Sequence, residues 1–249
     1  MDDTLRIAQV SDIHIGPEDI RYYGIDLRAN FLAVIEEVKK WQPDLLVLSG
    51  DQALDFGEVE SYQWLRDQLS LLDIPVLQIP GNHDSVDRMR RVFDLEEFVQ
   101  DGMLYYKREV KGQTLFFLDS EPDIIPEEQL VWLREEAQKV RGEALLFVHH
   151  PPTLCGSQFM DRKWPLRNIP MVQKYLQEIT NIRKIFTGHY HTGRTVSLGE
   201  KTVYICPSTQ MQISESNPDF EIARHEPGWR SIEWDGMHLK TKVHFVPRP

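Results

Sequence analysis

Short apolar runs alternate with amphipathic segments along the chain as far as residue 189. The runs LRIAQV, DLLVLS and IPVLQI are rich in the branched residues that favour strands. Helical spacing recurs in the two intervals between them, at Phe31, Val34, Ile35 and Val38 and again at Tyr62, Leu65, Leu69 and Leu72. Alternation of strand, helix and strand predicts a sheet of parallel strands covered by helices.

The same alternation continues and then changes. TLFFLDS, ALLFVHH and KIFTGH are further strand-like runs, separated by predicted helices at about 126–139 and 170–180. After Gly193 the helical spacing stops, and RTVSL, KTVYIC, WRSIEW and LKTKVHF are typical of consecutive strands joined by turns. We therefore predict an α/β fold, a two-sheet αββα sandwich with helices on the outer faces. Residues 1–249 form a single domain in which the strands from about 194 complete the second sheet.

Composition narrows the class of protein. The net charge of −11 over 249 residues argues against a surface that binds nucleic acid, because phosphates need a basic patch. The N-terminal MDDTLRIAQV lacks the features of a signal peptide, and no run approaches the roughly 18 apolar residues of a membrane span. Cys155 and Cys206 form no C-x-x-C pair, which favours free thiols. We expect a cytoplasmic protein without membrane or nucleic-acid partners, and the sequence leaves its oligomeric state open.

Polar side chains follow five of the predicted strands. Ligands bind beyond the carboxyl ends of strands in open α/β sheets, so these side chains should converge on one rim. Each motif alone is weak, since D-x-H or G-D at a strand end is more often a turn or cap. Six of the nine histidines lie in these groups, however, which favours a shared site. The groups are Asp12 and His14, Asp51, Asn82 with His83 and Asp84, His149 with His150, and His189 with His191.

The spacing and the donor types predict a metal site. Asp12 and His14 are two residues apart, as are His189 and His191, and in extended backbone such pairs point the same way. Carboxylate, imidazole and amide donors favour manganese, iron, zinc or cobalt over copper(I), an iron–sulfur cluster, magnesium or calcium. Seven candidate ligands suit two ions about 3.5–4 Å apart with a bridging carboxylate and hydroxide. Asp51 directly follows its strand and is the natural bridge.

The order D-x-H, G-D, G-N-H-D, H and G-H-x-H resembles the calcineurin-like metallophosphoesterase family from Asp12 to His191. The resemblance implies a metallophosphoesterase sandwich and two metal ions, with iron and manganese the expected metals. It places Asp12, His14 and His191 on one metal and Asn82, His149 and His189 on the other, with Asp51 shared. His149 is preferred to His150 because it ends its strand. The residues expected to contact the substrate are His14, Asp51, Asn82, His83 and His191.

Narrower features indicate the substrate. The segment from Asp44 to Asp84 and the stretches PLRN, CPSTQ and EPGWRSIEWDG are similar to bacterial class III 3′,5′-cyclic-AMP phosphodiesterases of the CpdA or Icc type. We expect hydrolysis of cyclic AMP or a related cyclic nucleotide by in-line attack of a metal-bridging hydroxide. Two alternatives stay open, a metallophosphoesterase for another small phosphodiester or nucleotide and a non-catalytic metal-binding scaffold.

Several side chains near these motifs have open roles. A ribose alkoxide leaves poorly, so a general acid is expected. His83 is the candidate, with Asp84 accepting its other N–H to fix the tautomer, and the alternative is that His83 is itself a ligand. Gln52 departs from the aliphatic residue expected there and either reaches the site or packs behind it. Cys155 is a weak candidate nucleophile, and Trp164 and Arg167 either contact a base or cap the domain.

Overall fold

Strands and helices alternate through the first part of the chain, and strands predominate after Thr187. A computed structural model describes residues 4–249. The strands are β1 (Leu5–Val10), β2 (Leu45–Ser49), β3 (Val76–Ile79), β4 (Val99–Gln100), β5 (Met103–Leu104), β6 (Tyr106–Val110), β7 (Gln113–Leu118), β8 (Ala144–Val148), β9 (Ile182–Thr187), β10 (Arg194–Leu198), β11 (Lys201–Ile205), β12 (Gln212–Ile213), β13 (Ile222–Arg224), β14 (Gly228–Trp234) and β15 (Leu239–Phe245). The helices are α1 (Leu27–Trp41), α2 (Val59–Leu69), α3 (Val86–Val92), α4 (Glu127–Gln138), α5 (Gln158–Lys163) and α6 (Ile169–Glu178), with a 3₁₀ turn at Glu96–Phe98.

Most of these strands form two mixed sheets. The first has five strands in the order β15-β14-β1-β2-β3, and the second has six in the order β10-β11-β9-β8-β7-β6. β1, β2 and β3 run parallel, as do β7, β8, β9 and β11, whereas the outer strands are antiparallel to their neighbours. The short strands pair separately, β4 with β5 and β12 with β13.

The last two long strands depart from the prediction. β10 and β11 do join the second sheet, but β14 and β15 belong to the first, so the prediction that all strands from about 194 complete the second sheet is wrong. β14 pairs antiparallel with β1, from Leu5 opposite Trp234 to Gln9 opposite Arg230. This pairing satisfies the backbone groups of β1 on the side away from β2. It also buries Ile232 and Trp234 in the core between the sheets.

Successive side chains of β1 and β2 point to opposite faces of the first sheet, and both faces are largely buried and apolar. Leu5 and Ile7 of β1 lie in a cluster shared with the second sheet, whereas Ala8 and Val10 pack in a cluster with Phe31 of α1. Asp26 caps α1 by accepting a 2.9 Å hydrogen bond from the backbone N–H three residues later. The first sheet is thus covered by helices on one face and by the second sheet on the other.

The second sheet repeats this arrangement on its own side. Phe117 and Phe147 contribute to the core between the sheets, whereas Phe116 and Leu146 share a cluster with residues of α4 and α6. The predicted αββα sandwich with helices on its outer faces is confirmed. None of the helices described between residues 4 and 249 is long and apolar enough to cross a lipid bilayer.

A row of stacked rings crosses the second sheet on its inner face. Successive ring centroids lie 4.7, 5.2, 5.2 and 5.0 Å apart, and the planes are nearly parallel. Cross-strand aromatic pairs stabilise neighbouring strands and hold their register. The row therefore fixes the relative positions of β7, β8 and β9, two of which end at the candidate site. Its members are Tyr106, Phe117, Phe147, Phe186 and Tyr204.

Candidate metal centre

The five polar groups follow the carboxyl ends of β1, β2, β3, β8 and β9 and meet where the two sheets adjoin. Backbone hydrogen bonds tie their loops together. The backbone N–H of Asp12 donates to the Gly50 carbonyl at 3.0 Å, and the backbone N–H of His14 donates to the Asp51 carbonyl at 2.9 Å. Gly188, from the other sheet's loop, donates to the His149 carbonyl at 3.0 Å. The loops therefore support one another as a unit.

Left-handed backbone conformation is shared by five residues of the site, namely Asp12 (φ 52°), His14 (φ 50°), Asp51 (φ 53°), His189 (φ 66°) and His191 (φ 48°). The extended backbone that the spacing of D-x-H and H-x-H suggested is therefore wrong. The chain instead turns sharply after each strand and brings every one of these side chains to the same point. Asp and His tolerate this region better than most non-glycine residues, although at some cost in strain.

Asp12, His14 and His191 form the first cluster, with ligand atoms within 4.8 Å of one another. The His14 and His191 Nε2 atoms lie 3.1 Å apart, and His191 Nε2 lies 3.3 Å from an Asp12 carboxylate oxygen. Two nitrogens that occupy adjacent positions around the same octahedral ion, each about 2.1 Å from it, lie about 3 Å apart. This spacing fits a shared metal ion.

Asp51, His149 and His189 form the second cluster under the same distance limit. His149 Nε2 lies 3.2 Å from Asp51 Oδ2, and the same oxygen lies 3.7 Å from His14 Nε2 of the first cluster. Asp51 thus stands between the two groups, in the position that a bridging carboxylate requires. His83 joins His14 and Asp51 in a third possible grouping.

Two buried atoms at the site lack a hydrogen-bond partner in the described part of the chain, which fits a site that holds a cation. Among residues 4–249, Asn82 Oδ1 and His149 Nε2 have no hydrogen-bond partner although both are buried. Buried polar atoms are nearly always paired, so each needs a partner such as a metal ion. The donors are carboxylate, imidazole and amide oxygen, which suit first-row transition metals. The two clusters fit a dinuclear metal site.

Backbone carbonyls orient two of the histidine rings in the second cluster. Nδ1 of His149 lies 2.8 Å from the Ser49 carbonyl, and Nε2 of His189 lies 2.8 Å from the Trp164 carbonyl. A carbonyl only accepts, so each of these nitrogens carries the proton. The other nitrogen, Nε2 of His149 and Nδ1 of His189, keeps its lone pair for a metal.

Burial and neighbouring charges set the protonation of the cluster. Burial lowers the pKa of His14 to about 3, so this ring is neutral and can act as a ligand. Burial opposes ionisation of Asp51, yet the His149 charge holds the pKa of that carboxyl well below its usual value. Burial opposes protonation of His149, yet the Asp51 and Asp12 carboxylates raise its pKa to about 9. The carboxylates attract positive charge, and a metal cation satisfies that attraction better than a proton on a ligand nitrogen.

Glycines leave room for the closely packed polar atoms. A Cβ atom on Gly81 would lie 2.2 Å from Asp51 Oδ1 and 2.7 Å from His149 Nε2. A Cβ atom on Gly188 would lie 1.9 Å from Ser11 Oγ and 2.7 Å from Asp12 Oδ2. Both positions require the absence of a side chain, which explains the glycines of G-N-H-D and G-H-x-H.

The predicted pairing of Asp84 with His83 is wrong. The Asp84 carboxylate accepts hydrogen bonds from the backbone N–H groups of Gly81, Gln52 and Ala53 and from the Tyr62 hydroxyl, at 2.9–3.1 Å. Asp84 therefore holds two loops together, because its oxygens accept from both loops and not from the His83 ring. Burial, with the nearby Asp51 charge, raises its pKa to about 6.

His83 is oriented by a different group. Its Nδ1 lies 2.7 Å from the Leu54 carbonyl, so this nitrogen carries the proton and Nε2 is the free ring atom. Its backbone N–H donates to Asp51 Oδ1 at 2.9 Å. His83 lines the cavity beside the clusters and its ring centroid lies 4.8 Å from that of His14.

A sequence profile of the calcineurin-like phosphoesterases matches residues 5–193 of the chain. The chain belongs to the calcineurin-like phosphoesterase family. It is 44% identical over 245 residues to "Probable cyclic nucleotide phosphodiesterase" of Fibrobacter succinogenes, covering 98% of this chain and 95% of that protein. It is 29% identical over 254 residues to the 3′,5′-cyclic adenosine monophosphate phosphodiesterase CpdA of Escherichia coli K12, covering 96% and 89%.

A solved structure supports the shared fold of this phosphoesterase. Purple acid phosphatase PPD1 from yellow lupin seeds superposes with a TM-score of 0.68 at 13% identity, covering 97% of this chain and 51% of that one. The predicted family and fold class are confirmed, and the chain is a hydrolase of phosphate esters. The roles of individual site residues stay predictions.

The phosphoesterase also has a cavity of about 350 Å³ above the clusters. It is lined by the five predicted substrate contacts and by aromatic residues that the sequence patterns did not single out, except for Trp164. These aromatic residues follow no periodic pattern along the chain, so no signal in the sequence indicated that they line a cavity. The predicted contacts are His14, Asp51, Asn82, His83 and His191, and the aromatic residues are Tyr22, Tyr23, Phe159, Trp164 and Phe220.

The remaining candidates lie around the phosphoesterase site. Gln52 is fully buried and donates to the Ile79 carbonyl at 3.2 Å, which fits the packing role. Burial raises the pKa of the Cys155 thiol to about 12, so it is no activated nucleophile. Arg167 contacts the Pro122 carbonyl and the Asp123 carboxylate. His150 is fully buried and its Nδ1 lies 2.8 Å from Ser120 Oγ.

Proposed function

We propose that this chain is a dinuclear metallophosphodiesterase that hydrolyses 3′,5′-cyclic AMP or a related cyclic nucleotide to the nucleoside monophosphate. The proposal rests on one observation, the paired Asp–His clusters that meet at Asp51 beneath a cavity of small-molecule size. The names of the relatives from Fibrobacter succinogenes and Escherichia coli support a cyclic nucleotide as the substrate. A cytoplasmic location and a single domain over 1–249 remain predictions.

The proposed ligands divide as the two clusters do. Asp12, His14 and His191 would hold one ion. His149 and His189 would hold the other together with Asn82, whose buried Oδ1 needs a partner, and Asp51 would bridge the two. The donor set suits first-row transition metals, and the resemblance to the family favours iron and manganese among them. When bound, the ions supply Lewis-acid charge that offsets the phosphodiester and lowers the pKa of the attacking water.

His83 is the proposed general acid. Water loses a proton to solvent and adds its oxygen to phosphorus, the bond from phosphorus to a ribose oxygen breaks, and that oxygen must gain a proton as it leaves. Nδ1 of His83 is hydrogen-bonded to the Leu54 carbonyl, so the proton would come from Nε2 of the imidazolium, and His83 lines the cavity. His14, Asp51, Asn82 and His191 line the same cavity and would contact the phosphate there.

A substrate panel tests the proposal. Purified protein is stripped with a chelator and reloaded with Mn²⁺ or Fe²⁺. It is then assayed with cyclic AMP, cyclic GMP, a 2′,3′-cyclic nucleotide, bis-p-nitrophenyl phosphate and glycerophosphocholine. We expect metal-dependent hydrolysis with the highest kcat/KM on a 3′,5′-cyclic nucleotide, and about two metal ions per chain by elemental analysis. The Asp51→Ala variant, prepared identically, controls for contaminating phosphodiesterases.

Each contrary outcome is specific. A higher kcat/KM on glycerophosphocholine than on any of the cyclic nucleotides would make another small phosphodiester the substrate. A metal-loaded protein that cleaves none of the esters would instead support a binding scaffold. One metal ion per fully active chain would contradict the dinuclear assignment.

A further inference from the structure

Aromatic side chains are exposed around the metal centre. Four of them keep 38%, 55%, 57% and 40% of their surface accessible, namely Tyr22, Tyr23, Trp164 and Phe220. All four line the same cavity as His14 and His83. Soluble proteins seldom leave large apolar side chains grouped at their surface unless the group binds something. The cavity, at about 350 Å³, lies in the range of small-ligand sites.

Four of the rings form a continuous row. The Tyr22 and Tyr23 centroids lie 4.7 Å apart, those of Tyr23 and Phe220 lie 5.5 Å apart, and those of Phe220 and Phe159 lie 5.8 Å apart. These rings come from three segments that are far apart in the chain. We call Tyr22, Tyr23, Phe159 and Phe220 the aromatic row.

Hydrogen bonds hold the row against the metal centre. The segment that carries Phe220 is joined to α5, which carries Phe159, by a 2.9 Å bond from the Gln158 N–H to the Glu215 carbonyl. Arg162 of α5 also donates to the Pro218 carbonyl. Directly after α5, the Trp164 carbonyl accepts from His189 at 2.8 Å.

The turn bearing the two tyrosines is also well defined. Tyr22 and Ile25 exchange backbone hydrogen bonds at 3.0 and 3.1 Å, which closes a tight turn. Tyr23 sits in this turn with a φ of 51°, a conformation that bulky residues rarely adopt. The turn thus holds Tyr23 in an unfavourable backbone conformation, and such strain clusters at binding sites.

We propose that the aromatic row is the subsite for the base of a nucleotide, which stacks on it while the phosphate lies on the metal centre. This inference rests on the proposed function and narrows it, since a glycerophosphodiester carries no planar ring for such a surface. Stacking on aromatic side chains tolerates any base and contributes strongly to nucleotide affinity. Asp55 and Gln210 also line the cavity and offer polar atoms to the edge of the base.

Binding of adenosine 5′-monophosphate tests the subsite without requiring turnover. Calorimetric titration of the metal-loaded protein with this nucleotide and with ribose 5-phosphate separates the base from the phosphate. We expect the nucleotide to bind at least about tenfold more tightly than ribose 5-phosphate. We expect Phe220→Ala and Tyr23→Ala each to weaken nucleotide binding about tenfold and to leave ribose 5-phosphate binding unchanged.

A matched control separates stacking from general loss of apolar surface. Phe245 lies on β15 outside the cavity and is 39% exposed, close to the 40% of Phe220, so Phe245→Ala should leave both affinities unchanged. Circular dichroism of each variant verifies that it is folded. With cyclic AMP as substrate, the row variants should raise KM with little change in kcat, because the base is bound equally before and during reaction.

The outcomes distinguish this subsite from the proposed function. Equal affinities of the unaltered protein for the two ligands, or equal weakening of both by the row variants, would overturn the subsite while leaving phosphodiesterase activity intact. The subsite would also be overturned if the unaltered protein is a dimer, the row variants are monomers and nucleotide affinity is unchanged. The row would then be assigned to self-association. A base-dependent affinity without hydrolysis of cyclic nucleotides would uphold the subsite and contradict the proposed reaction.

Discussion

At the scale of single residues, the four residues of the GNHD motif have separate structural surroundings. Gly81 leaves space for Asp51 and His149, and Asn82 presents a buried oxygen that needs a partner. His83 turns one nitrogen to the Leu54 carbonyl and lines the cavity with the rest of its ring. Asp84 accepts from three backbone N–H groups of two loops and from the Tyr62 hydroxyl of α2. Under the proposed function, Asn82 would bind a metal ion and His83 would act on the substrate, whereas Asp84 holds the loops.

The His83→Ala variant should separate proton donation from metal binding. We expect kcat/KM on cyclic AMP to fall by about 10²–10⁴-fold, and much less on bis-p-nitrophenyl phosphate, whose phenolate leaves without a proton. Elemental analysis should find the same number of metal ions per chain in this variant as in the unaltered protein. His225→Ala removes an exposed histidine and serves as the control. Loss of one ion from His83→Ala would make His83 a ligand instead of the acid.

The Asp84→Asn variant should behave differently, since Asp84 supports the loops. At pH 8 the carboxylate is ionised, and an amide would turn an NH₂ group toward backbone N–H donors. We expect a loss of about 2 kcal/mol in the free energy of unfolding by urea. Activity should fall by the same factor on cyclic AMP and on bis-p-nitrophenyl phosphate. A selective loss on cyclic AMP would restore a direct role beside His83.

The residue types at the strand ends predicted the site, but the hydrogen-bond partners of these residues could not be predicted from the sequence. All seven predicted ligands lie in or beside the two clusters, because acids and histidines that recur after several apolar strands are informative together. Backbone carbonyls orient His149 and His189, at Ser49 and Trp164, and the Leu54 carbonyl orients His83. Any residue type supplies a carbonyl, so no letter of the sequence marks one.

At the scale of elements, long elements were predictable and short ones were not. The buried strands and the helical stripe of α1 show clear periodicity, and the structure contains them. α3 and α5, with seven and six residues, were missed because so few turns carry little pattern and depend on tertiary packing. α5 nevertheless supports part of the aromatic row, so the missed element matters for the cavity.

The turn after β3 gives the element-scale prediction. In Gly81→Ala the new methyl group would lie 2.2 Å from Asp51 Oδ1, so the loop must move away from the second cluster. We expect loss of at least one metal ion per chain and an activity decrease above about 10²-fold, because small displacements of reacting groups are costly. Elemental analysis and the cyclic AMP assay measure both effects.

Gly16→Ala provides the comparison for that variant. Its Cβ would meet only side-chain carbons, the nearest being the terminal Leu54 Cδ2 at 2.9 Å, which can rotate away. We expect metal content to be retained. Retention of full metal content and activity by Gly81→Ala would show that the loop around Asp51 and His149 is more adaptable than its contacts indicate.

At the scale of the whole molecule, the order of the strands in space was only partly predictable. The run patterns indicated strands at 229–234 and 239–245, but not which open sheet edge they join. β1 and β10 both offered an edge, and the choice depends on how Ile232 and Trp234 fit between the sheets. Such packing involves residues more than two hundred positions apart and leaves no local pattern.

Metal removal should lower the stability of the entire protein. The clusters join loops from both sheets, and a ligand that binds only the native state stabilises it by about 4 kcal/mol at a thousandfold excess over Kd. Chelation should therefore lower Tm by about 10 °C, and Mn²⁺ should restore it. Differential scanning calorimetry measures the shift, and Asp51→Ala should show a smaller one. An unchanged Tm would mean that the loops hold their arrangement without ions.

The hydrogen bond from His189 to the Trp164 carbonyl would link the two proposed binding events, that of the metal and that of the nucleotide. His189 belongs to the second cluster, whereas Trp164 borders the cavity on the segment that follows α5. A nucleotide that orders this segment also orders a metal ligand, and the thermodynamic coupling must be reciprocal. The affinity for the metal should therefore increase when nucleotide is bound, by the same factor by which the metal increases the affinity for nucleotide. Product release and metal loss would then be cooperative processes.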